Sequence, residues 1–418
     1  MRYKTIIIIT LLIFTFFSSY GSILIPMDNS QSNHLKAYGI AFAALKEDIA
    51  VKWLLNYRGG SWLFPESYNI QSLCNIRGVT YETVNAADEV QIMAEIQASN
   101  MDVVMLEKEP KIAVYVPPSE EPWDDAVTLA LTYAQIDYET LWDEDVLTGK
   151  LGEYDWLHLH HEDFTGQFGK FYASYRNAPW YKEEVKTNEE MAAKLGYKKV
   201  WQMKHAVTDK IKDFVQKGGF LFAMCAACDS YDVAQAAGNV DIVDQVFDGD
   251  GIYPNYQSKL NFDQCLAFEN FQIITNPYQY EFSSIDASDY AELRGAEQDY
   301  FQLFDFSAKY DPVPTMLTQC HTNAVNGFLG QTTSFHKRFV KKSVIILGEV
   351  PGADEVKYLH GNYGKGTFTF YGGHDPEDYQ HRIGDPETVL DMHKNSPGYR
   401  LILNNVLFPA AEKKKLKT

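Results

Sequence analysis

Three short segments carry the side chains best suited to chemistry: His158-Leu-His160-His161-Glu162-Asp163, Cys225-Ala-Ala-Cys228-Asp229 and Gly372-Gly-His374-Asp375-Pro-Glu377-Asp378. Each lies at or just after the end of an apolar run that reads as a strand. In an open parallel α/β sheet, ligands bind beyond the carboxyl ends of the strands. The shared placement therefore points to one site assembled from three loops. Cys225 ends the run Phe220-Leu-Phe-Ala-Met224 and a helix is expected after it. A nucleophile on such a strand-to-helix turn is exposed at the sheet edge, and the helix N-terminus lowers a thiol's pKa. The alternative is a small apolar cysteine that closes a core strand. His374 follows Tyr371-Gly-Gly and has Asp375, Glu377 and Asp378 beside it. That is the composition of a base with an orienting acid; it is equally that of a turn.

Cys225 and Cys228 also form C-x-x-C, which in an exported chain could be a disulfide or a redox pair. On a strand, His158 and His160 point to one face and His161 to the other. The three can ligate one ion only if the strand ends by His160, with Glu162 and Asp163 as further oxygen ligands and His381 as a further nitrogen. A divalent ion such as zinc is the metal these types suit; hydrogen-bonded structural histidines are the other reading. His160, His161, Glu162 and Asp163 are also candidate substrate contacts. So are Tyr175 and Trp180, in an aromatic segment with Phe171 and Tyr172. Asp248-Gly-Asp250-Gly251 lacks the rest of a calcium loop and reads as a turn.

The elements that must position these groups alternate along the chain. Strand and helix patterns succeed one another over residues 23–106, which predicts a parallel sheet with covered faces. The polar Glu107-Lys-Glu-Pro110 marks a boundary. Strands follow at 111–116, 138–141, 155–160, 220–224, 343–347 and 366–371, with helices at 124–133, 201–217, 230–237 and 397–407. The Asn-, Asp- and Tyr-rich stretch 240–340 reads as an insertion or cap. The organisation expected is a signal at 1–21, an N-terminal α/β subdomain at 22–108, a main domain at 109–410 and a basic tail at 411–418.

The N-terminus combines Arg2 and Lys4, an apolar stretch from Ile6 to Phe17 and a small-x-small site at Ser19 and Gly21. These are the parts of a secretory signal, with cleavage expected after Gly21 and a periplasmic or secreted product. The run is too short to cross a hydrocarbon core of ~30 Å. A formal charge of −19 argues against nucleic acid or an anionic membrane surface as partner. A small molecule, sugar or peptide remains. Five cysteines are an odd number and sparse for an exported chain, so no disulfide framework is expected. No cofactor is called for, a divalent metal being the open option.

From about Lys111 onward the chain resembles the class I glutamine amidotransferase-like proteins, including their trehalose-utilisation-type relatives. The matching stretches are Lys111–Val116, Phe220–Cys225 and Gly364-Lys-Gly-Thr-Phe-Thr-Phe-Tyr-Gly-Gly-His374. The resemblance implies a flavodoxin-like, doubly wound parallel sheet, with Cys225 as nucleophile, His374 as base and Glu377, or Asp375, as orienting acid. Alanines (Ala223, Ala227) occupy both glycine places of the family's elbow. The acid also stands one residue further from the histidine than in the family. Over nearly its full length the chain is similar to exported bacterial proteins labelled asparagine synthetase B. Leu54-Leu-Asn-Tyr-Arg-Gly-Gly60, Trp156–Gly166 and Tyr371–Tyr379 carry that likeness. ATP-dependent synthesis is not expected, because residue 2 is Arg and no Ser-Gly-Gly-x-Asp-Ser loop occurs. The expectation is a cysteine-dependent hydrolase of an amide-type bond, or a non-catalytic sugar- or peptide-binding protein on the same scaffold.

Overall fold

The computed structural model describes residues 21–118 and 125–412. The signal segment up to residue 20 and the lysine-rich end of the tail lie outside the described residues. The first five strands are β1 (Ser22–Ile25), β2 (Val51–Leu55), β3 (Ser61–Pro65), β4 (Glu82–Val84) and β5 (Asp102–Leu106). They form one sheet in the order β4-β1-β3-β2-β5. Its pairings are all antiparallel, which corrects the parallel expectation. The reason is local: β2 and β3 are joined by five residues, and a parallel connection needs a dozen or more. Both faces are nevertheless covered. Ile23, Ile25 and Trp53 enter the main core, while Leu24, Leu54 and Leu63 pack a smaller cluster with Ile92 and Ile96 of the helix Ala86–Ala98. That is the two-residue alternation of a strand.

The remaining strands are β6 (Ile112–Tyr115), β7 (Glu139–Leu141), β8 (Trp156–Leu159), β9 (Phe220–Met224), β10 (Tyr300–Leu303), β11 (Ala324–Asn326), β12 (Ile345–Glu349), β13 (Val356–Tyr363) and β14 (Gly366–Tyr371). They form a nine-stranded mixed sheet, β11-β10-β12-β13-β14-β9-β8-β6-β7. β7, β6, β8, β9 and β14 are parallel neighbours, and from β14 outward the pairings turn antiparallel. The parallel strands run 2-1-3-4-5 in sequence order, so the direction of winding reverses at β6. Helices Asp143–Thr148, Val200–Lys217 and Ala226–Ala237 pack in a row; Ala126–Ala134 packs with Pro397–Leu407 and His34–Lys46. Right-handed crossovers require such a division between the two faces.

The stretch expected as a cap contributes β10 and β11 to the antiparallel wing, so it is partly a sheet extension. β13 escaped the sequence reading because Lys357, His360 and Asn362 interrupt its apolar run. It turns into β14 through Gly364-Lys365, with Gly364 at φ 61 and its Cα against the Gln216 carbonyl. A single apolar cluster runs from Ile23 and Trp53 through Phe222 to Leu407, so the N-terminal sheet and the main domain share one core. His34–Lys46 is the dowel between them: nearly all of it is buried, as expected of a helix apolar all round. Gly39 sets its distance from Ala126–Ala134, since an added Cβ would lie 1.8 Å from the Ala134 carbonyl oxygen. Gly39→Ala is therefore expected to destabilise the protein by about 1–3 kcal/mol through overpacking, seen as a lower urea midpoint at unchanged m-value. A wild-type midpoint would show that the two helices separate without cost.

Candidate functional site

Cys225 directly follows β9 and precedes the helix Ala226–Ala237 with φ 50 and ψ −139. A non-glycine residue held there stores on the order of 1–3 kcal/mol of strain, and such strain collects at functional sites. The surroundings enforce it. Ala227 N donates to the His160 carbonyl (3.1 Å), which ties the helix start to the end of β8. The small, fully buried Ala226 and Ala227 let the helix begin at once. Cys225 and Cys228 are free thiols, so the pair is not bridged. The Cys228 sulfur turns back to the Ala223 carbonyl (3.2 Å), and burial holds its thiol well above the usual range.

The loop after β14 brings His374 to Cys225. It packs tightly, with Gly373 at φ 94 and the Gly330 Cα against the His374 backbone nitrogen. Burial opposes ionisation of Cys225, but the hydrogen bond and charge of His374 and the amides of Thr332 and Gln331 outweigh it and hold the thiol below its ordinary value. The Gln331 amide lies 3.2 Å from Sγ. On its other side, His374 Nδ1 is 2.9 Å from His160 Nε2. His160 Nδ1 in turn lies 3.2 Å from His158 Nε2 and 3.3 Å from Asp125 Oδ1. His158 Nε2 is 3.3 Å from Asp125 Oδ2, and its Nδ1 is 3.1 Å from the Phe222 carbonyl. A continuous line of polar contacts therefore runs from His374 through His160 to His158 and Asp125, with Cys225 beside His374 at its end.

The nitrogen of His374 that an orienting acid would hold faces His160, so the geometry does not place Glu377 or Asp375 there as expected. The turn through Pro376 points both carboxylates elsewhere. Glu377 Oε2 sits 2.8 Å from His393 Nδ1. Asp375 accepts from Tyr399 OH (2.9 Å) and from the Glu377 amide (2.8 Å). His381 stacks on the His374 ring with centroids 4.3 Å apart.

His161 and Glu162 face a crevice beyond the carboxyl ends of β6 and β8, where the winding reverses. With Pro117 they divide it into two lobes. One is lined by Trp142, Asp163, Phe168, Phe171, Glu184 and Lys204, the other by Asp125, Thr128, Tyr138, Thr140 and Glu387. The His161 ring is 6.0 Å from that of His374, so the crevice adjoins the cysteine side. Burial and the Asp125 carboxylate push Glu162 up to about 8, and burial and Asp163 push Glu184 up to about 8. Lys204 is bonded to Asp143 (2.8 Å) beneath them. Asp163 holds the loop behind it through the Thr165 and Gly169 amides.

Tyr175 and Trp180 do not line the crevice. They pack with Phe171 in a satellite core because the helix Pro179–Lys194 needs a buried face, and Phe168 and Phe171 supply the crevice's aromatic wall. The sequence reading missed Asp125, Glu184 and Gln331. Only Asp125 carried a signal, as an acid at the start of a helical pattern: its Oδ1 caps Ala126–Ala134 through the Val127 and Thr128 amides. Among the described residues, His160, His161 and His374, and separately Asp125, His158 and His160, place ligand atoms close enough to hold an ion. A third group, Asp241, Asp248 and Asp250, has the Lys199 ammonium against Asp248 and Asp250.

No family model matches the chain. No curated protein matches it either. Similar solved structures include the cytoplasmic protein STM3548 of Salmonella typhimurium, at 11% identity and TM-score 0.35, over 73% of this chain and 100% of that one. The cytoplasmic protein STM1381 of Salmonella typhimurium LT2 aligns at 13% identity and TM-score 0.33, over 72% and 100%. The GH42 beta-galactosidase Gan42B, from G. stearothermophilus, aligns at 11% identity and TM-score 0.26, over 64% of this chain and 28% of its own. Likeness at this level assigns no function.

The raised Glu184 carboxyl has a consequence for stability. Between its ordinary 4.5 and about 8 the folded chain holds a proton that the unfolded chain releases. By linkage, this group's contribution to stability falls as pH rises through that window and is level above it. Glu184→Gln is expected to flatten that part of the urea midpoint's pH dependence; an unchanged slope from pH 5 to 8 would show that the carboxyl titrates normally.

Proposed function

We propose that this protein is an exported, cysteine-dependent hydrolase of amide-type bonds, built on a doubly wound sheet of the class I glutamine amidotransferase type. The observation that carries the reading is the strained Cys225 at the start of a helix, with His374 and the Gln331 amide favouring its thiolate. The 2-1-3-4-5 order of the parallel strands supports the fold assignment. In this reading the Cys225 thiolate attacks the amide carbonyl. His374, held by His160, gives its proton to the departing nitrogen, which leaves a thioester on Cys225. Water, deprotonated by His374, then releases the acid and restores the thiol. The crevice at His161 and Glu162 is the place for the rest of a small-molecule, sugar or peptide substrate. The acidic composition supports neither nucleic acid nor an anionic membrane surface as partner. No helix among the described residues is long and apolar enough to cross a membrane.

A second reading, a binding protein without catalysis, is favoured by the cover over the sulfur. Cys225 is 2% exposed. Gln331 spans it, its Nε2 donating to the Gly169 (2.7 Å) and Tyr280 (3.2 Å) carbonyls. A hydrolase must lift this strap to admit substrate.

Release of ammonia or amine from a panel of carboxamides separates the two. Cys225→Ser and His374→Ala are expected to abolish turnover. His160→Ala is expected to lower kcat by about 10²-fold or more, as loss of support to a general acid–base. Glu377→Gln should stay within about threefold of wild type, because its carboxylate faces His393 rather than His374. Turnover that survives Cys225→Ser sinks the nucleophile. A panel without turnover, together with a Cys225 thiol that resists iodoacetamide in the native state, supports the binding protein instead. A pH titration of thiolate absorbance, taken as wild type minus Cys225→Ser, should place Cys225 below the ordinary thiol value of about 8.5.

A further inference from the structure

His158 and His160 occupy one face of β8, and Asp125 approaches them from the start of the Ala126–Ala134 helix. The facing atoms stand close: His158 Nε2 is 3.2 Å from His160 Nδ1, and the two nitrogens are each 3.3 Å from a different oxygen of Asp125, Oδ2 and Oδ1 respectively. Ligand atoms each about 2.0–2.1 Å from a tetrahedral ion stand about 3.3 Å apart, close to the 3.2 Å between the two nitrogens and the 3.3 Å from each nitrogen to its own carboxylate oxygen. The other histidine group fits less well, because His160 Nε2 and His374 Nδ1 are 2.9 Å apart and face each other as a hydrogen bond.

The outer shell also matches a metal site, in which a ligating imidazole donates its second nitrogen to a carbonyl or another fixed group. His158 Nδ1 faces the Phe222 carbonyl at 3.1 Å. His160 Nε2 faces His374. Asp125 Oδ1 is held by the Val127 amide at 2.7 Å and the Thr128 amide at 3.2 Å. The two histidines are fully buried, while the Asp125 side chain is 11% exposed and lines the crevice together with Glu162. Two imidazoles and one carboxylate with an open side are the donor set of a catalytic rather than a structural zinc.

We propose that Asp125, His158 and His160 hold one divalent transition-metal ion, zinc, whose fourth position opens into the crevice beside Glu162. The site does not use Cys225, but it shares His160 with the cysteine side. With Nδ1 on the ion, the His160 proton stays on Nε2 and is donated to His374 Nδ1. In the zinc-bound form His374 therefore carries its own proton on Nε2, where it can hold the Cys225 thiolate but not act as its base. A ligand reaching the fourth position needs an oxygen or nitrogen donor, as a carboxamide or a sugar hydroxyl has.

Elemental analysis of the full chain, purified without chelator and dialysed against micromolar zinc, is expected to give about one zinc per chain. Asp125→Ala and His158→Ala should each retain less than about a tenth of that, with His205→Ala, on the outer Val200–Lys217 helix, as the unchanged control. Should either variant fail to fold, cobalt loading of the wild type decides: intense visible bands of a tetrahedral ion that zinc displaces are expected. Zinc below about 0.1 per chain in the wild type, full zinc in both ligand variants, or one equivalent of iron in its place would each overturn the assignment.

Discussion

The parallel register of β8, β9 and β14 is the constraint on which the rest depends. Leu159 lies beside Ala223, and Ala223 beside Phe370. The three strands therefore end at nearly the same height, and the next residues of each project at one edge. His160, Cys225 and His374 come from segments far apart in sequence, yet the sheet leaves them little freedom. The 2.9 Å contact between His160 and His374 spans the intervening strand and closes the arrangement over Cys225. Small residues make the closure possible: Ala226 and Ala227 on one side, Gly372 and Gly373 on the other.

Electrostatics then gives each buried group its character. Imidazoles surround the Asp125 carboxylate, and although burial works against its charge, His158 and His160 hold it well below the usual carboxylate range. Glu162 and Glu184 stand where burial and another carboxylate both disfavour ionisation, so they are pushed the other way. One crevice thus contains acids driven in opposite directions, a pattern characteristic of functional sites. The thiols separate in the same manner: His374 and two amides favour the thiolate of Cys225, while burial and the negative charge of Cys225, Asp229 and Asp232 hold the Cys228 thiol up.

The chain beyond these strands serves the same edge. The antiparallel wing β13-β12-β10-β11 anchors the segment that carries Gln331 across the sulfur. The N-terminal sheet reaches the main domain through His34–Lys46, and Arg400 ties the two together by bonding to the Met27 and Gly59 carbonyls. Lys357, fully buried, donates to the Phe328 and Thr333 carbonyls on either side of the Gln331 loop. These bonds fix the ends of the loop that lays Gln331 over the sulfur.

The sequence by itself determined the parallel strands of the main domain and the three segments of histidine, cysteine and carboxylate residues at their ends. Buried parallel strands are continuous apolar runs, and such runs in β6, β8, β9 and β14 are visible without any partner. The same logic placed Cys225 on a strand-to-helix turn. Strand direction in the N-terminal sheet was not legible, because alternation within a strand says nothing about which way its neighbour runs. Nor was the identity of His374's partner. Glu377 is close in sequence, but a proline turn points it at His393, while His160, 214 residues away, takes its place. Asp125 and Gln331 acquire meaning only from what they face across the sheet. The tertiary structure decided these points because side-chain direction depends on register and turn geometry, which are properties of paired elements and not of any one segment.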